Sequence, residues 1–337
     1  MSSSAYPPLP TELFLEIGEL LELRDLSSLS RSCRRFHTLF TLMLYQRIRD
    51  APESCLWHVM QHDNHVSFLR YLLDEGLPVN CTMSSYPAPY NQEDICTLLH
   101  FAAQSGSTEL VRLLIERGAD IGAMVISGEQ ALVQRLIDRN PAQVAPGTDG
   151  ATALHCAAAS GHAEVARILI EAGADVSAVT DTDTTPLHEA AFEGHEAVTQ
   201  VLIAHGANVS AGDCGNSTPL HYAALQGHIA VVRLLIAAGV NVSAVGLGGA
   251  TALHLAASQG HEEMARLLID NTADLSAVDE SLRTPLHEAA RLGHHIVVRI
   301  LVERGANVLA VDRAGRTSRD LAVMNGHGPV VQLLSLH

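Results

Sequence analysis

Histidine is the residue type with the most chemical promise in this chain. It occurs 19 times in 337 residues, and each copy could ligate a metal, move a proton or orient a nucleophile near neutral pH. Spacing argues against a single site. Seven copies stand in the fourth position of a Thr-(Pro/Ala)-Leu-His phrase or its degenerate versions: His58, His100, His155, His188, His221, His254 and His287. Seven more follow a glycine slot: His65, His162, His195, His228, His261, His294 and His327. Residues recurring on two periodic slots are expected to bridge loops by hydrogen bonds, not to converge on a metal or a substrate.

The other reactive groups point the same way. Six cysteines, at 33, 55, 81, 96, 156 and 214, form no CxxC pair and no regular spacing, so reduced thiols are expected rather than a zinc site or a disulfide framework. All 21 basic side chains are arginine. A chain without lysine excludes P-loop NTPases and Schiff-base enzymes. No G-x-S-x-G or other nucleophile–base arrangement is present. The expectation is a protein with no catalytic residues, no cofactor and no metal. A net charge of −16 also argues against nucleic acid or an anionic membrane as partner. The uncharged stretch Leu234–His261 is broken by glycines and Asn241, so no membrane span is expected, and the chain is placed in the cytoplasm, the nucleus or both.

The elements that must hold these residues follow from the repeat. The phrase begins at Thr152, Thr185, Thr218, Thr251 and Thr284, with a decayed copy at Thr317, every interval being 33 residues. Upstream copies are headed by Cys55 and Thr97. In the copy at Thr185, the threonine hydroxyl is placed to cap a helix and Pro186 to start it. Ala190 and Ala191 permit close approach, and Gly194 ends the helix left-handed. A second helix carries Val198, Val201 and Leu202 on one face. One such pair cannot bury its own apolar face, so neighbouring copies must stack.

This pattern resembles the ankyrin repeat over residues 51–337. Together with the N-terminal segment it defines an all-α fold: a short three-helix unit followed by a solenoid of helix pairs joined by hairpin-like loops. Residues 1–8 are expected to be disordered and 9–50 to form the N-terminal unit. Repeats 1 and 2 are placed at 51–120 with a loop insertion at 81–95, a half repeat at 121–147, and further repeats with a C-terminal cap at 148–337. The 55 residues between Thr97 and Thr152 predict a bend or a weak point in the stack. Thr272 stands where other repeats place Gly173, Gly206, Gly239 and Gly305. Either Asn271 takes the left-handed conformation there or the helix end is distorted.

The first fifty residues follow another rule. Leu9-Pro10-Thr11-Glu12-Leu13 leads into an apolar ladder of Leu13, Ile17, Leu20 and Leu21, then Asp25-Leu26, Leu29, and Cys33-Arg34-Arg35-Phe36. So short a segment cannot bury these side chains by itself. The order resembles the F-box over residues 9–47, and its junction with the repeats is similar to F-box–ankyrin proteins of fungi. The resemblance implies docking of a Skp-type adaptor through Leu9, Pro10, Leu13, Ile17, Leu20, Leu21, Leu26, Leu29, Cys33 and Phe36. It further implies the substrate-recognition subunit of an SCF-type cullin-RING ubiquitin ligase, monomeric on its own. The alternative is an ankyrin scaffold acting outside any ligase. By the same resemblance, hairpin tips and the exposed face of each first helix would hold a target protein. On this sequence those positions include Asp181, Phe192, Glu193, Leu225, Gln226, Arg283, Arg291, Leu292, Arg313 and Arg316. They run from acidic through apolar to basic, with Phe192, Leu225 and Leu292 as anchors.

Overall fold

The computed structural model describes residues 65–74, 76–84, 95–123 and 150–336. The expected terminal segment, the F-box and most of the half repeat lie outside them. The described residues form helix pairs in chain order. The first pair region comprises α1 (His65–Asp74), then a short antiparallel hairpin of β1 (Thr82–Ser84) and β2 (Ile95–Thr97) flanking the loop insertion. Then follow α2 (Leu98–Gln104) and α3 (Thr108–Glu116), α4 (Ala153–Ala159) and α5 (Ala163–Glu171), α6 (Pro186–Glu193) and α7 (Glu196–Ala204). The C-terminal half continues with α8 (Pro219–Gln226) and α9 (Ile229–Ala237), α10 (Ala252–Gln259) and α11 (Glu262–Asp270), and α12 (Pro285–Leu292) and α13 (His295–Glu303). The last pair is α14 (Ser318–Met324) and α15 (Gly328–Leu334). First helices pack on first helices and second on second. The alanines make this possible: Ala190, Ala191, Ala223, Ala224, Ala256, Ala257, Ala289 and Ala290 are fully buried, and their lack of a long side chain lets the helix axes come close.

Two histidine ladders bind the layers together. In the first, the backbone N–H of Thr185 donates to His188 Nδ1 at 3.0 Å, and the Thr185 hydroxyl lies 2.9 Å from the same nitrogen. An accepting Nδ1 leaves the ring proton on Nε2, which donates 3.0 Å across to the carbonyl of Ser217 before the next repeat. Threonine and histidine thus form a reciprocal capping box, in which the imidazole takes the Thr185 N–H. His155, His254 and His287 make the same bonds 29 residues onward. The second ladder runs backward: His162, His195, His228, His261, His294 and His327 each reach a carbonyl in the preceding repeat, from Gln104 to Arg291. Each ring also lies against a glycine. A Cβ at Gly161, whose φ is 78°, would stand 2.7 Å from the His195 ring, so that position excludes any side chain on two counts.

Across the irregular stretch the layers on either side remain in contact. His100 Nε2 reaches the carbonyl of Ala151 at 3.1 Å, 51 residues away instead of 29, and His162 reaches Gln104 across 58 residues instead of 36. Helix α2 packs on α4 as any first helix packs on the next. The extra chain is thus accommodated without disturbing the register of the layers on either side.

The last layer exposes Val323, Met324 and Leu336 and changes its capping residue. Asp320 replaces the slot histidine and accepts from the N–H and hydroxyl of Thr317 at 2.9 and 2.8 Å. The carboxylate thereby performs the half of the histidine's task that lies within its own repeat.

Thr272 takes neither expected route. It adopts φ 66° itself, while Asn271 stays at φ −105° and its side chain caps the carbonyl of Leu267. The helix end is undistorted: the N–H groups of Thr272 and Ala273 bond Ile269 and Leu268 at 3.0 Å. The packing of the repeat dictates the turn, and the β-branched residue bears the strain.

Candidate functional site

Adjacent hairpins are stitched by backbone bonds, as from Cys214 N–H to Thr182 O (3.0 Å) and Arg313 N–H to Ser281 O (2.9 Å). This presents the exposed face of the first helices as one continuous surface. Within each hairpin a side-chain acceptor closes the turn. Asp213 Oδ1 takes the N–H groups of Gly215 and Ser217, both at 2.8 Å, and Asp279 does the same for Ser281 and Arg283.

The apolar middle of this surface is built around Phe192. Its ring is half-buried and stands edge-on to Tyr222 with centroids 6.0 Å apart. Tyr222 in turn meets His188 edge-on at 5.6 Å and donates its hydroxyl to Asp213 Oδ2 at 2.7 Å. Burial and that bond push the phenol pKa up, so Tyr222 stays a neutral donor. Phe192 therefore packs between repeats and also shows a face to solvent. Leu225 is half-buried beside Gln226, which is exposed, as are Asp181, Glu193 and Leu292.

The expected basic end is mostly spoken for within the molecule. Glu288 accepts from Arg283 Nη1 at 3.0 Å and from Arg291 Nη2 at 2.6 Å. Burial would raise the Glu288 pKa, but the two guanidinium groups outweigh it and hold the carboxyl below its usual value. Arg316 is paired with Asp312 at 2.7 Å, a carboxyl kept low, near about 2, by the Arg316 bonds. Of the four arginines expected to offer positive charge, Arg313 alone is exposed without an ion pair to a described residue. The physical reason is burial: Glu288 is 8% exposed, and a carboxylate so placed must be paired or protonated.

Sequence reasoning missed the innermost residues of this surface, Cys156, Glu189 and Tyr222. All three stand directly after the slot histidine, where the copies read Phe101, Cys156, Glu189, Tyr222, Leu255 and Glu288. Variation at one slot amid constant alanines was the available signal. The Glu189 carboxyl has neither hydrogen bond nor ion pair with a described residue. Burial first, then the nearby Glu193, raises its pKa to about 8. Burial likewise pushes the Cys156 thiol up to about 12, which makes it an inert thiol.

No group of His, Cys, Asp and Glu among the described residues is arranged to hold a metal. No helix among them is long and apolar enough to cross a membrane. The ten residues expected to meet an adaptor, Leu9, Pro10, Leu13, Ile17, Leu20, Leu21, Leu26, Leu29, Cys33 and Phe36, lie outside the described residues.

A stack of helix pairs locked by bonds between layers, with a variable outward face and hairpin tips, defines a repeat solenoid of the protein-binding type. The family model for ankyrin repeats (3 copies) matches residues 35–125, 121–213, 176–246, 211–279, 243–312 and 277–337, and an F-box-like model matches 7–50. The chain belongs to the ankyrin-repeat family and carries an F-box-like domain at its N-terminus. It is 38% identical over 84 residues to the E3 ubiquitin-protein ligase XBAT33 of Arabidopsis thaliana, a match covering 21% of this chain and 16% of that protein. It is 32% identical over 121 residues to the B-cell lymphoma 3 protein of Homo sapiens, covering 32% and 26%. The chain thus spans about a quarter or less of the length of these relatives, and neither comes from a fungus.

Proposed function

We propose that this protein is the target-recognition subunit of an SCF-type cullin-RING ubiquitin ligase. The observation that carries the reading is the F-box-like match on residues 7–50 joined directly to ankyrin repeats that fill the rest of the chain. In this reading the ladder Leu13, Ile17, Leu20, Leu21 and Leu26 docks a Skp-type adaptor, and the first-helix face holds a target protein. The chain itself supplies no chemistry. It raises the local concentration of the target beside a ubiquitin-charged enzyme, which converts a slow bimolecular encounter into a near-intramolecular transfer. Such a role suits the cytoplasm or the nucleus.

Adaptor binding tests this against a scaffold working outside a ligase. Burial of one ladder side chain contributes ~2 kcal/mol, and a carboxylate in its place adds a desolvation penalty. Ile17→Asp is expected to abolish co-purification with a Skp-type adaptor while the ankyrin circular dichroism stays unchanged. Adaptor binding that persists in this variant, or is absent from the wild type, sinks the ligase reading.

A further inference from the structure

Two glutamates occupy the same slot of the repeat at the same burial and differ only in their partners. Glu189 and Glu288 are each 8% exposed. Glu288 is clasped by Arg283 and Arg291. Glu189 has Thr184 and Phe192 at the corresponding positions, and its carboxyl has no partner among the described residues. Yet its carboxyl is not sealed. Among the described residues, the side-chain polar atoms that are fully enclosed without a hydrogen bond are Arg283 Nε and Ser318 Oγ, so both Glu189 oxygens keep some contact with solvent. The carboxyl lies within electrostatic reach of Cys156 on one side and Tyr222 on the other. The exposed acid Glu193 stands nearby on the same helix.

We propose that Glu189 is the recognition point for an arginine of the target, taken from an extended segment lying along the first-helix face. The occupant is argued from charge complementarity and from the molecule's own solution at Glu288, where a guanidinium from the position three residues onward fills the identical slot. The Phe192 and Tyr222 rings supply the walls. A planar cation stacks on such faces and bonds a carboxylate in two-pronged fashion, which an ammonium does not. The buried carboxyl, protonated near neutrality when empty, would ionise on meeting the cation, so capture at pH 7 should release a proton. The titratable groups in electrostatic reach of it are Glu193 on its own helix, Cys156 on α4, and Tyr222 from the next repeat. His188 is committed to the ladder and Tyr222 to Asp213.

The proposal rests on the target-binding half of the reading above and is independent of adaptor docking, so the two fail separately. The test titrates the full chain with a capped pentapeptide, Ala-Leu-Arg-Leu-Ala, and with its citrulline counterpart, which keeps the shape and loses the charge. The expected result is at least tenfold tighter binding of the arginine peptide, accompanied by proton release at pH 7 seen as a buffer-dependent heat. Glu189→Gln should erase that preference while raising the unfolding temperature or leaving it unchanged. Phe192→Arg should also erase it, by building the Glu288-type pair within the chain. Equal binding of the two peptides, no binding of either, or an arginine preference surviving in either variant overturns the proposal.

Discussion

A left-handed backbone costs a β-branched residue of order 1–3 kcal/mol where glycine adopts it freely, and Thr272 holds φ 66°. Nothing about its hydrogen bonds offsets this, because the turn bonds match those of glycine-bearing repeats such as the one ending at Gly239. Thr272→Gly is expected to raise stability by about 1 kcal/mol once the extra unfolded-state freedom of glycine is subtracted. Urea denaturation checks this; a midpoint that falls would mean the turn had been rebuilt around the threonine. The slot was legible in the sequence as a departure from period, but the outcome was not. Local rules offered Asn271 as the left-handed residue, and only the bonds from Thr272 and Ala273 back to α11 fix which residue must turn.

At the scale of the element, the histidine–threonine pair at each first-helix N-terminus makes the stack sensitive to acid. In the folded chain burial lowers the pKa of His100, His155, His188, His221, His254 and His287, those of His155 and His188 to about 4. The unfolded chain protonates the same residues near 6.5. Between those values the unfolded state holds protons the folded state refuses, so stability is whole above 6.5 and is lost as pH falls. For His155 and His188 the slope is about 1.4 kcal/mol per pH unit each in that window, and the other four add to it in the same direction. Glu189 acts in the opposite sense, since it keeps its proton to about 8 when folded and so weakens the fold as pH rises above the usual carboxylate value. Six groups outweigh one. Denaturant midpoints should drop steeply from pH 7 to pH 5, and His188→Asn should flatten the profile; a midpoint that is level over this range would contradict the account. The two ladders were foreseen as loop-bridging histidines because type and period showed them. Their opposite directions were not, since a period says that residues are equivalent and nothing about which neighbour each one addresses. The pairing of Arg283 and Arg291 with Glu288 was hidden for the same reason: sequence shows charges, and burial decides whether they are spent within the molecule.

At the scale of the whole molecule, the absence of lysine bears on the proposed role. A receptor held beside a ubiquitin-transfer site is itself within reach, and the usual acceptor is a lysine amine. Arginine keeps the charge but cannot lose its proton to become a nucleophile. Arg167 and Arg233 have side chains 52% and 61% exposed, and their ion pairs, at 3.6 and 3.8 Å, are of the solvent-screened kind that contributes little. Arg167→Lys and Arg233→Lys should therefore leave stability unchanged and create modification in a reconstituted ligase reaction. Wild-type protein modified as heavily as the double variant would refute a protective effect.

The two ladders also govern how such a molecule can be inherited. Forward rungs end on the residue just before the next threonine, and backward rungs end one repeat behind, so neither depends on how many repeats lie beyond. Excision of residues 218–250 would leave His188 on the carbonyl of Ser217 and bring His261 to that of Phe192, the carbonyl His228 uses now. No rung is left open. A copying slip of one whole repeat therefore leaves every rung closed, while a slip of any other length sets donor and carbonyl out of register. Lineages carrying this architecture are free to lengthen or shorten the surface they present to partners in steps of one repeat, and selection can act on what is bound before it ever has to act on whether the chain folds.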